Sequence, residues 1–171
     1  MADNVGIVRS PFSWQRQLQG WNQAKLAASL SYPFLTNAQM TYWRVFLASL
    51  QGVANAFQFG DPMNQGPQNP GATAGSVTGS GQIGTTLITS SSGLTPGDWF
   101  QIGYRLYMVL SVSGGTLGIW PPIRESPAGG SNLIIHDTQG LFCLTKNERG
   151  YGVSVDNGRN YSLVFEIEEA L

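Results

Sequence analysis

The second half of this chain is a close succession of short apolar segments with turn residues between them. The intervals hold turn formers such as Thr95-Pro96-Gly97-Asp98, Gly114-Gly115 and Pro127-Ala128-Gly129-Gly130. Short strands at such close spacing favour a small antiparallel barrel or sandwich, so this feature limits the fold more than any other. The strands predicted here are 86–89, 99–102, 106–112, 116–120, 133–135 and 141–144.

Two further strands are predicted near the start of the chain. Residues 12–18 and 25–30 alternate loosely between apolar and polar, and Gly20-Trp21-Asn22 lies between them. This arrangement is typical of two strands and is compatible with a hairpin. Tyr32-Pro33 is expected to interrupt the second strand, because proline cannot donate to a hydrogen-bond ladder.

The remaining strands are predicted at 54–59 and at the chain end. Residues 54–59 are closed by Gly60-Asp61-Pro62. Residues 151–155 and 161–167 flank Asp156-Asn157-Gly158, and an Asn-Gly pair suits a hairpin turn that needs positive φ. We therefore predict a C-terminal β-hairpin.

One helix is predicted over about residues 37–51. Thr36-Asn37-Ala38-Gln39 has the form of a capping box, with Thr36 as the cap and Gln39 reaching back to it. Gly52 is placed to end the helix. An apolar stripe follows the helical period and is expected to pack on a sheet; its members are Met40, Trp43, Leu47 and Leu50, with Phe46 on the flank.

The segment 63–84 consists of Gly, Pro, Gln, Asn, Ser and Thr with almost nothing to bury. Such a composition predicts a long loop or an extended arm. A structureless segment of this length is unusual in a compact monomer and more often has a binding or assembly role.

Composition excludes several classes of protein. Nine Lys and Arg against ten Asp and Glu give a net charge of −1, which provides no electrostatic footprint for nucleic acid. The single Cys143 rules out an intrachain disulfide framework, and no cluster of Cys and His could hold a structural zinc. No apolar run approaches the ~18 residues of a membrane span. The start, Met1-Ala2-Asp3-Asn4, shows no secretory signal pattern.

Residues that could perform chemistry are few, and we predict that the chain is not an enzyme. His136 is the only histidine, and Cys143 lies within an apolar strand where a small buried hydrophobe is expected. Glu166, Glu168 and Glu169 close the chain, and Glu166 and Glu168 are expected on a solvated face of the terminal strand, opposite Phe165 and Ile167. A two-carboxylate hydrolase stays open as an alternative. Gly79-Ser80-Gly81 leads into a strand, which differs from a phosphate-binding loop. No catalytic, cofactor-binding or metal-binding residue, and no cofactor, is predicted.

Carbohydrate binding is a rival hypothesis. Tryptophans combined with many Asn and Gln could stack against and hydrogen-bond a sugar, but each Trp also lies beside apolar residues, where core packing explains it. The residues concerned are Trp14, Trp21, Trp43, Trp99 and Trp120.

The order of several segments resembles tail proteins of tailed bacteriophages. In the first half, Trp43-Arg44-Val45-Phe46-Leu47-Ala48-Ser49-Leu50-Gln51-Gly52 precedes Phe57-Gln58-Phe59-Gly60-Asp61-Pro62. In the second half, the similar segments are Gly97-Asp98-Trp99-Phe100-Gln101-Ile102-Gly103, Leu106-Tyr107-Met108-Val109, Ile119-Trp120-Pro121-Pro122-Ile123-Arg124 and Phe165-Glu166-Ile167-Glu168-Glu169-Ala170-Leu171.

The family that these segments resemble is the distal tail protein, the ring subunit of the baseplate. The resemblance implies a β-sandwich, tail-tube-like core with a helix, formed by residues 1–62 and 146–171, and a hexameric ring. It also implies a small OB-like β-barrel inserted at 75–145, after a polar linker or arm at 63–74. The implied location is the virion tail, after synthesis in the host cytoplasm.

The composition is compatible with self-assembly. Interfaces are poor in charge at their centres, and neutral amides and hydroxyls can hydrogen-bond between subunits without burying ions. The expected partners are copies of the chain itself and other tail proteins, namely tube, hub, fibre or receptor-binding proteins, with neither sequence-specific nucleic-acid binding nor membrane insertion. The alternatives are another tail ring or minor tail subunit, head-to-tail or nozzle-proximal, and a carbohydrate-binding module that contacts the host surface.

Overall fold

The computed structural model describes residues 5–9, 16–20, 24–147, 151–154 and 160–170. Within these residues the chain is mainly β with one α-helix, as the sequence predicts. The elements are β1 Val5–Arg9, β2 Arg16–Gly20, β3 Ala27–Leu35, α1 Asn37–Ser49, a 3₁₀ turn Gly52–Ala54, β4 Phe57–Phe59, β5 Gly84–Ile88, β6 Trp99–Ile102, β7 Arg105–Ser113, β8 Thr116–Ile123, β9 Gly140–Leu144, β10 Tyr151–Ser154 and β11 Asn160–Glu169.

The chain divides into two compact units. The half-barrel unit comprises Met1–Lys25 and Gly60–Gly140, and the helix unit comprises Leu26–Phe59 and Leu141–Leu171. Strand β9 falls within residues 75–145, which the resemblance assigns to an inserted barrel, but it pairs with β11 of the helix unit.

The half-barrel unit is built on an antiparallel sheet in the order β5-β8-β7-β6. Pairing continues from both edges of this sheet through isolated bridges, which join Gln101 to Ile134, Ser76 to Asn132 and Val77 to Thr89. The predicted strand at 133–135 is therefore only bridged. A core of apolar side chains lies inside the curve and includes residues of the bridged segments; its members are Val77, Leu87, Leu94, Phe100, Tyr107, Val109, Leu117, Ile119, Ile123, Leu133 and Ile135.

The polar segment 63–84 has no strand before Gly84, but it is bonded to the half-barrel unit and does not form an extended arm. The backbone N–H of Gln68 donates to Oδ1 of Asp98 at 2.9 Å, and the Thr73 N–H donates to the Ser92 carbonyl at 2.9 Å. At Gly75 a Cβ atom would lie 2.2 Å from the backbone nitrogen of Ser91, so only glycine permits this approach. Hydrogen bonds to backbone carbonyls and to the Asp98 side chain thus attach the segment, which has no apolar stripe of its own.

The helix unit contains a five-stranded sheet centred on β11. One edge of β11 pairs with β3, and the other edge pairs with β10 and, further along, with β9. Strand β4 follows beyond β9. The predicted C-terminal hairpin is confirmed by the β10–β11 pairing; its turn residues, 156–158, lie outside the described residues.

The strand predictions near the start of the chain need two corrections. Strand β2 pairs with β1, and β3 pairs with β11, so the segments at 12–18 and 25–30 do not form a hairpin together. Strand β3 also continues through Pro33 to Leu35. A register shift opposite residues 161–163 of β11 sets two residues of β3, Pro33 and Phe34, against one residue of β11. Strand β3 therefore carries one extra residue in a β-bulge, which removes the requirement for a Pro33 donor.

The bulge places Phe34 in the left-handed region. Its φ is +59°, and its side chain is 78% exposed. A bulky side chain in this region costs about 1–2 kcal/mol relative to ordinary extended backbone. The strain is held by the pairing of Tyr32 and Leu35 on either side.

Helix α1 begins as the sequence predicts. Thr36 Oγ1 accepts from the Gln39 N–H at 3.3 Å, and Gln39 Oε1 accepts from the Thr36 N–H at 2.9 Å, which completes the capping box. The helix ends at Ser49, two residues before the predicted end. Gln51, not Gly52, is the first residue in the left-handed conformation that terminates it, with φ of +51°.

The side chain of Asp98 connects the polar segment to the turn before β6, and its removal should destabilise the half-barrel unit. Asp98 is 1% exposed and accepts from the N–H groups of Gln68 and Thr95 and from the Thr95 hydroxyl. Asp98→Ala leaves these donors unpaired, so we expect a loss of about 3 kcal/mol in urea unfolding. The exposed Asp61, whose side chain accepts from the Met63 N–H, is the matched control: Asp61→Ala should cost under about 1 kcal/mol. Equal losses would contradict the assignment.

The capping box gives a second prediction. Thr36→Ala removes the side-chain acceptor for the Gln39 N–H and should lower the free energy of unfolding by about 1 kcal/mol. Thr41→Ala in the same helix is the control, because Thr41 only returns its hydroxyl to the Asn37 carbonyl. Alanine is the better helix former there, so this change should be neutral or slightly stabilising in the same urea titration.

An aromatic groove as the candidate functional site

The described residues of the helix unit form an open groove of about 320 Å³, which we term the aromatic groove. Its lining comes from α1, β3, β4 and β11. Its lining residues are Leu30, Tyr32, Tyr42, Trp43, Phe46, Phe57, Gln58, Phe59 and Phe165.

Ring packing fixes the shape of the aromatic groove. The ring of Trp43 lies 4.6 Å from that of Tyr32 and 5.6 Å from that of Phe165, measured between centroids. Phe46 meets Trp43 edge-on at 5.7 Å and Phe57 edge-on at 5.3 Å. Tilted and edge-to-face contacts at these distances are the favoured geometries for aromatic pairs, so the walls are rigid before anything binds.

The lining contains no charged side chain. Its polar atoms are those of the Gln58 amide, the Tyr32 and Tyr42 hydroxyls and the Trp43 indole. An ion entering such a groove would lose hydration without gaining a partner, whereas an apolar or aromatic group would lose nothing. The groove is therefore suited to an uncharged, mainly apolar group.

The apolar surface extends from the groove along the outer face of α1. Tyr42 borders the groove and is 78% exposed, and Val45, three residues further along the helix, is 67% exposed. Residues three apart in a helix are neighbours on its surface, so these two side chains continue one patch. Exposed apolar patches of this kind mark interaction surfaces.

The tryptophans considered for sugar binding do not share one surface. Trp43 belongs to the aromatic groove. Trp99, on β6 of the half-barrel unit, is half-buried, and its indole nitrogen lies 3.2 Å from the Asn64 side-chain amide, whose oxygen accepts from the indole N–H when the amide is turned by 180°. Trp120 is half-buried on β8 of the same unit. Trp14 and Trp21 lie outside the described residues.

The candidate catalytic residues are likewise dispersed. His136 is exposed in the half-barrel unit, where its ring faces Gly66, and Cys143 is half-buried on β9 of the helix unit. Glu166 and Glu168 lie on the face of β11 opposite the buried Phe165 and Ile167, as predicted. Glu169, on the other face of the strand, is buried. Its N–H donates to the Leu26 carbonyl at 2.8 Å, and its carboxylate accepts from the Leu26 N–H at 3.4 Å.

The pKa of the Glu166 carboxyl group is shifted by a neighbouring lysine. Lys146 donates to Glu166 at 2.9 Å, and this hydrogen bond, followed by the charge of Lys146, lowers the pKa of Glu166. Both side chains are exposed, so the pair has a local effect and little influence on stability.

Sequence reasoning identified α1 and its apolar stripe but not the groove. Met40, Leu47 and Leu50 of the stripe are buried, as a helix packed on a sheet requires. Trp43 and Phe46 are only half-buried and form the groove wall. The signal available was the aromatic character of these two positions together with Phe57 and Phe59, since flat rings leave gaps that Leu and Ile fill.

The remaining findings concern metals, membranes and relatives. Within the described part of the chain, no three His, Cys, Asp or Glu side chains come together as metal ligands would. No helix in these residues is long and apolar enough to cross a membrane. No protein-family model matches this chain, and no curated protein matches its sequence.

The ion pair on β11 gives a third prediction. Lys146→Ala should return the pKa of Glu166 to its ordinary value, because the hydrogen bond and the charge that favour the carboxylate are both lost. In wild type the pair stabilises above the ordinary carboxyl pKa, and this contribution disappears as the pH falls through the lowered value. A carboxyl-carbon NMR titration measures the shift. A titration midpoint unchanged by Lys146→Ala would contradict the pairing.

Proposed function

We propose that this chain is a structural subunit of a bacteriophage tail that assembles with copies of itself into a ring at the tail tip, around the DNA conduit. The observation that carries this proposal is the uncharged apolar surface of the helix unit, formed by the aromatic groove with Tyr42 and Val45. Exposure of such an apolar surface to water is unfavourable in free energy, and burial against another protein removes this exposure.

The distribution of charge supports a protein partner over an ionic ligand. Between residues 26 and 97 the only charged residues are Arg44 and Asp61. Burying this part of the surface would strip few ions of water, which is the main cost of forming a protein interface. Nothing in this segment offers the cluster of cations that a nucleic acid or a phosphorylated ligand needs.

The segments that resemble distal tail proteins support the ring in particular. The Trp43–Gly52 and Phe57–Pro62 segments supply α1 and β4 of the helix unit, and the Gly97–Gly103 segment supplies β6 of the half-barrel unit. We propose that the helix unit corresponds to the ring domain, with a sandwich or tail-tube-like core, and that the half-barrel unit corresponds to the OB-like barrel. The bridges that continue the pairing beyond β5 and β6 support the second correspondence.

The runner-up is a subunit of a different tail ring or a minor tail-tip protein. The same apolar surface and low charge would serve it, so the two proposals differ in the position of the ring along the tail. Cryo-electron microscopy of virions containing the chain distinguishes them, because the ring lies at the tail tip in one case and higher along the tail in the other.

Self-assembly gives the fourth prediction. The purified chain should form one closed oligomer, with six copies expected from the resemblance, visible as rings by electron microscopy and as a single mass by native mass spectrometry. Because the proposed interface is uncharged, about 1 M NaCl should leave the oligomer intact, and sulfate should strengthen it. A chain that stays monomeric at high concentration and is absent from virions would contradict the proposal.

A further inference from the structure

We propose that the aromatic groove binds the Phe34 side chain of a second copy of this chain. This inference rests on the proposed function, because it names the contact that joins neighbouring subunits in the ring. The contact is heterologous: each copy offers Phe34 to one neighbour and its aromatic groove to the other.

Phe34 combines a strained backbone conformation with an exposed side chain. Its φ of +59° lies in a region that bulky residues avoid, and its side chain is 78% exposed on the bulge of β3. The chain thus holds a strained backbone and presents a large apolar side chain to solvent. Strain of this kind persists where the surrounding structure enforces it, and it concentrates at binding sites.

The second argument is the match between Phe34 and the aromatic groove. The groove is lined by rings in tilted and edge-on contact, and a further ring adds the same type of contact. Its volume of about 320 Å³ is at the small end for ligand sites, and so suits one or two side chains. A buried aromatic anchor in a preformed pocket is the usual centre of a strong interface.

The third argument is charge. No charged residue lies in β3 or in the lining of the groove, so docking strips neither side of an ion. The exposed Tyr42 and Val45 beside the groove can surround the inserted ring and exclude water from it.

The heterologous geometry explains why the contact leads to a ring. In an open row of copies joined by this contact, the copy at one end has an empty aromatic groove and the copy at the other end has an unbound Phe34. Such a row of copies closes into a ring where the rotation between neighbours brings the last groove to the first Phe34, and it forms an open filament otherwise. A symmetric contact that used one patch twice would stop at a dimer.

Two variants test the contact, and both should fold. Phe34→Gly removes the aromatic side chain and places glycine where φ is positive, which relieves strain. Tyr42→Glu puts a carboxylate on the rim of the groove at an exposed helical position that glutamate favours. Tyr104→Glu, an exposed aromatic of the half-barrel unit, is the matched control. Far-ultraviolet circular dichroism and thermal unfolding verify that each variant is folded.

The expected results are specific. Phe34→Gly alone and Tyr42→Glu alone each weaken assembly by about thirtyfold or more, as loss of an interface anchor does, while Tyr104→Glu assembles like wild type. An equimolar mixture of the two variants forms a one-to-one heterodimer and nothing larger, because only Phe34 of the Tyr42→Glu chain and the groove of the Phe34→Gly chain are intact. Native mass spectrometry separates the two chains by mass.

The outcomes separate this inference from the proposed function. If wild type and both single variants form the same ring, the Phe34 contact is overturned and the ring proposal stands. If both variants are monomeric but their mixture gives no heterodimer, the contact is also overturned. A wild-type chain that is monomeric at every concentration overturns the ring proposal and the contact together.

Discussion

The helix unit depends on one strand that comes last in the chain. Strand β11 is hydrogen-bonded along both edges, to β3 on one side and to β10 and β9 on the other. Its inward residues Leu163, Phe165 and Ile167 are all buried. Strand β3 precedes β11 by more than a hundred residues, so the sheet closes a long loop, which is costly in entropy and slow to form.

This constraint accounts for the character of the sequence between β4 and β9. Residues 60–140 are inserted between strands of one sheet and must bury their own apolar side chains, which they do in the core of the half-barrel unit. The insertion cannot supply apolar residues everywhere, and the segment 63–84 has almost none. Hydrogen bonds hold this segment where apolar contacts are missing. They join neutral groups to one another and to the buried carboxylate of Asp98.

The sequence predicted correctly those features that depend on a few neighbouring residues. The capping box at Thr36 and Gln39, strand β6 and the C-terminal hairpin follow from patterns a few residues long, and the structure contains them. Partners distant in sequence were beyond such reasoning: β2 and β3 are adjacent in the chain but pair with different strands. The groove was missed for the same reason, because its walls come from four elements and its shape depends on how rings meet. The predicted interruption of the strand at Pro33 was wrong, because Pro33 lies in a β-bulge, where no N–H donor to the neighbouring strand is required.

The positive-φ residues show how far the chain's own interactions explain its structure. Gln51 adopts φ of +51° where helix α1 ends, which is the usual place for a left-handed residue. Asp137 adopts +47°, a conformation that short polar side chains tolerate, and its N–H donates to the Gln65 carbonyl. Phe34 adopts +59° at the bulge of β3, and it differs from the other two in being bulky and in exposing its ring. The bulge and the flanking pairs hold this strained conformation, and the exposed ring that it presents is the one that we propose enters the groove of a second copy.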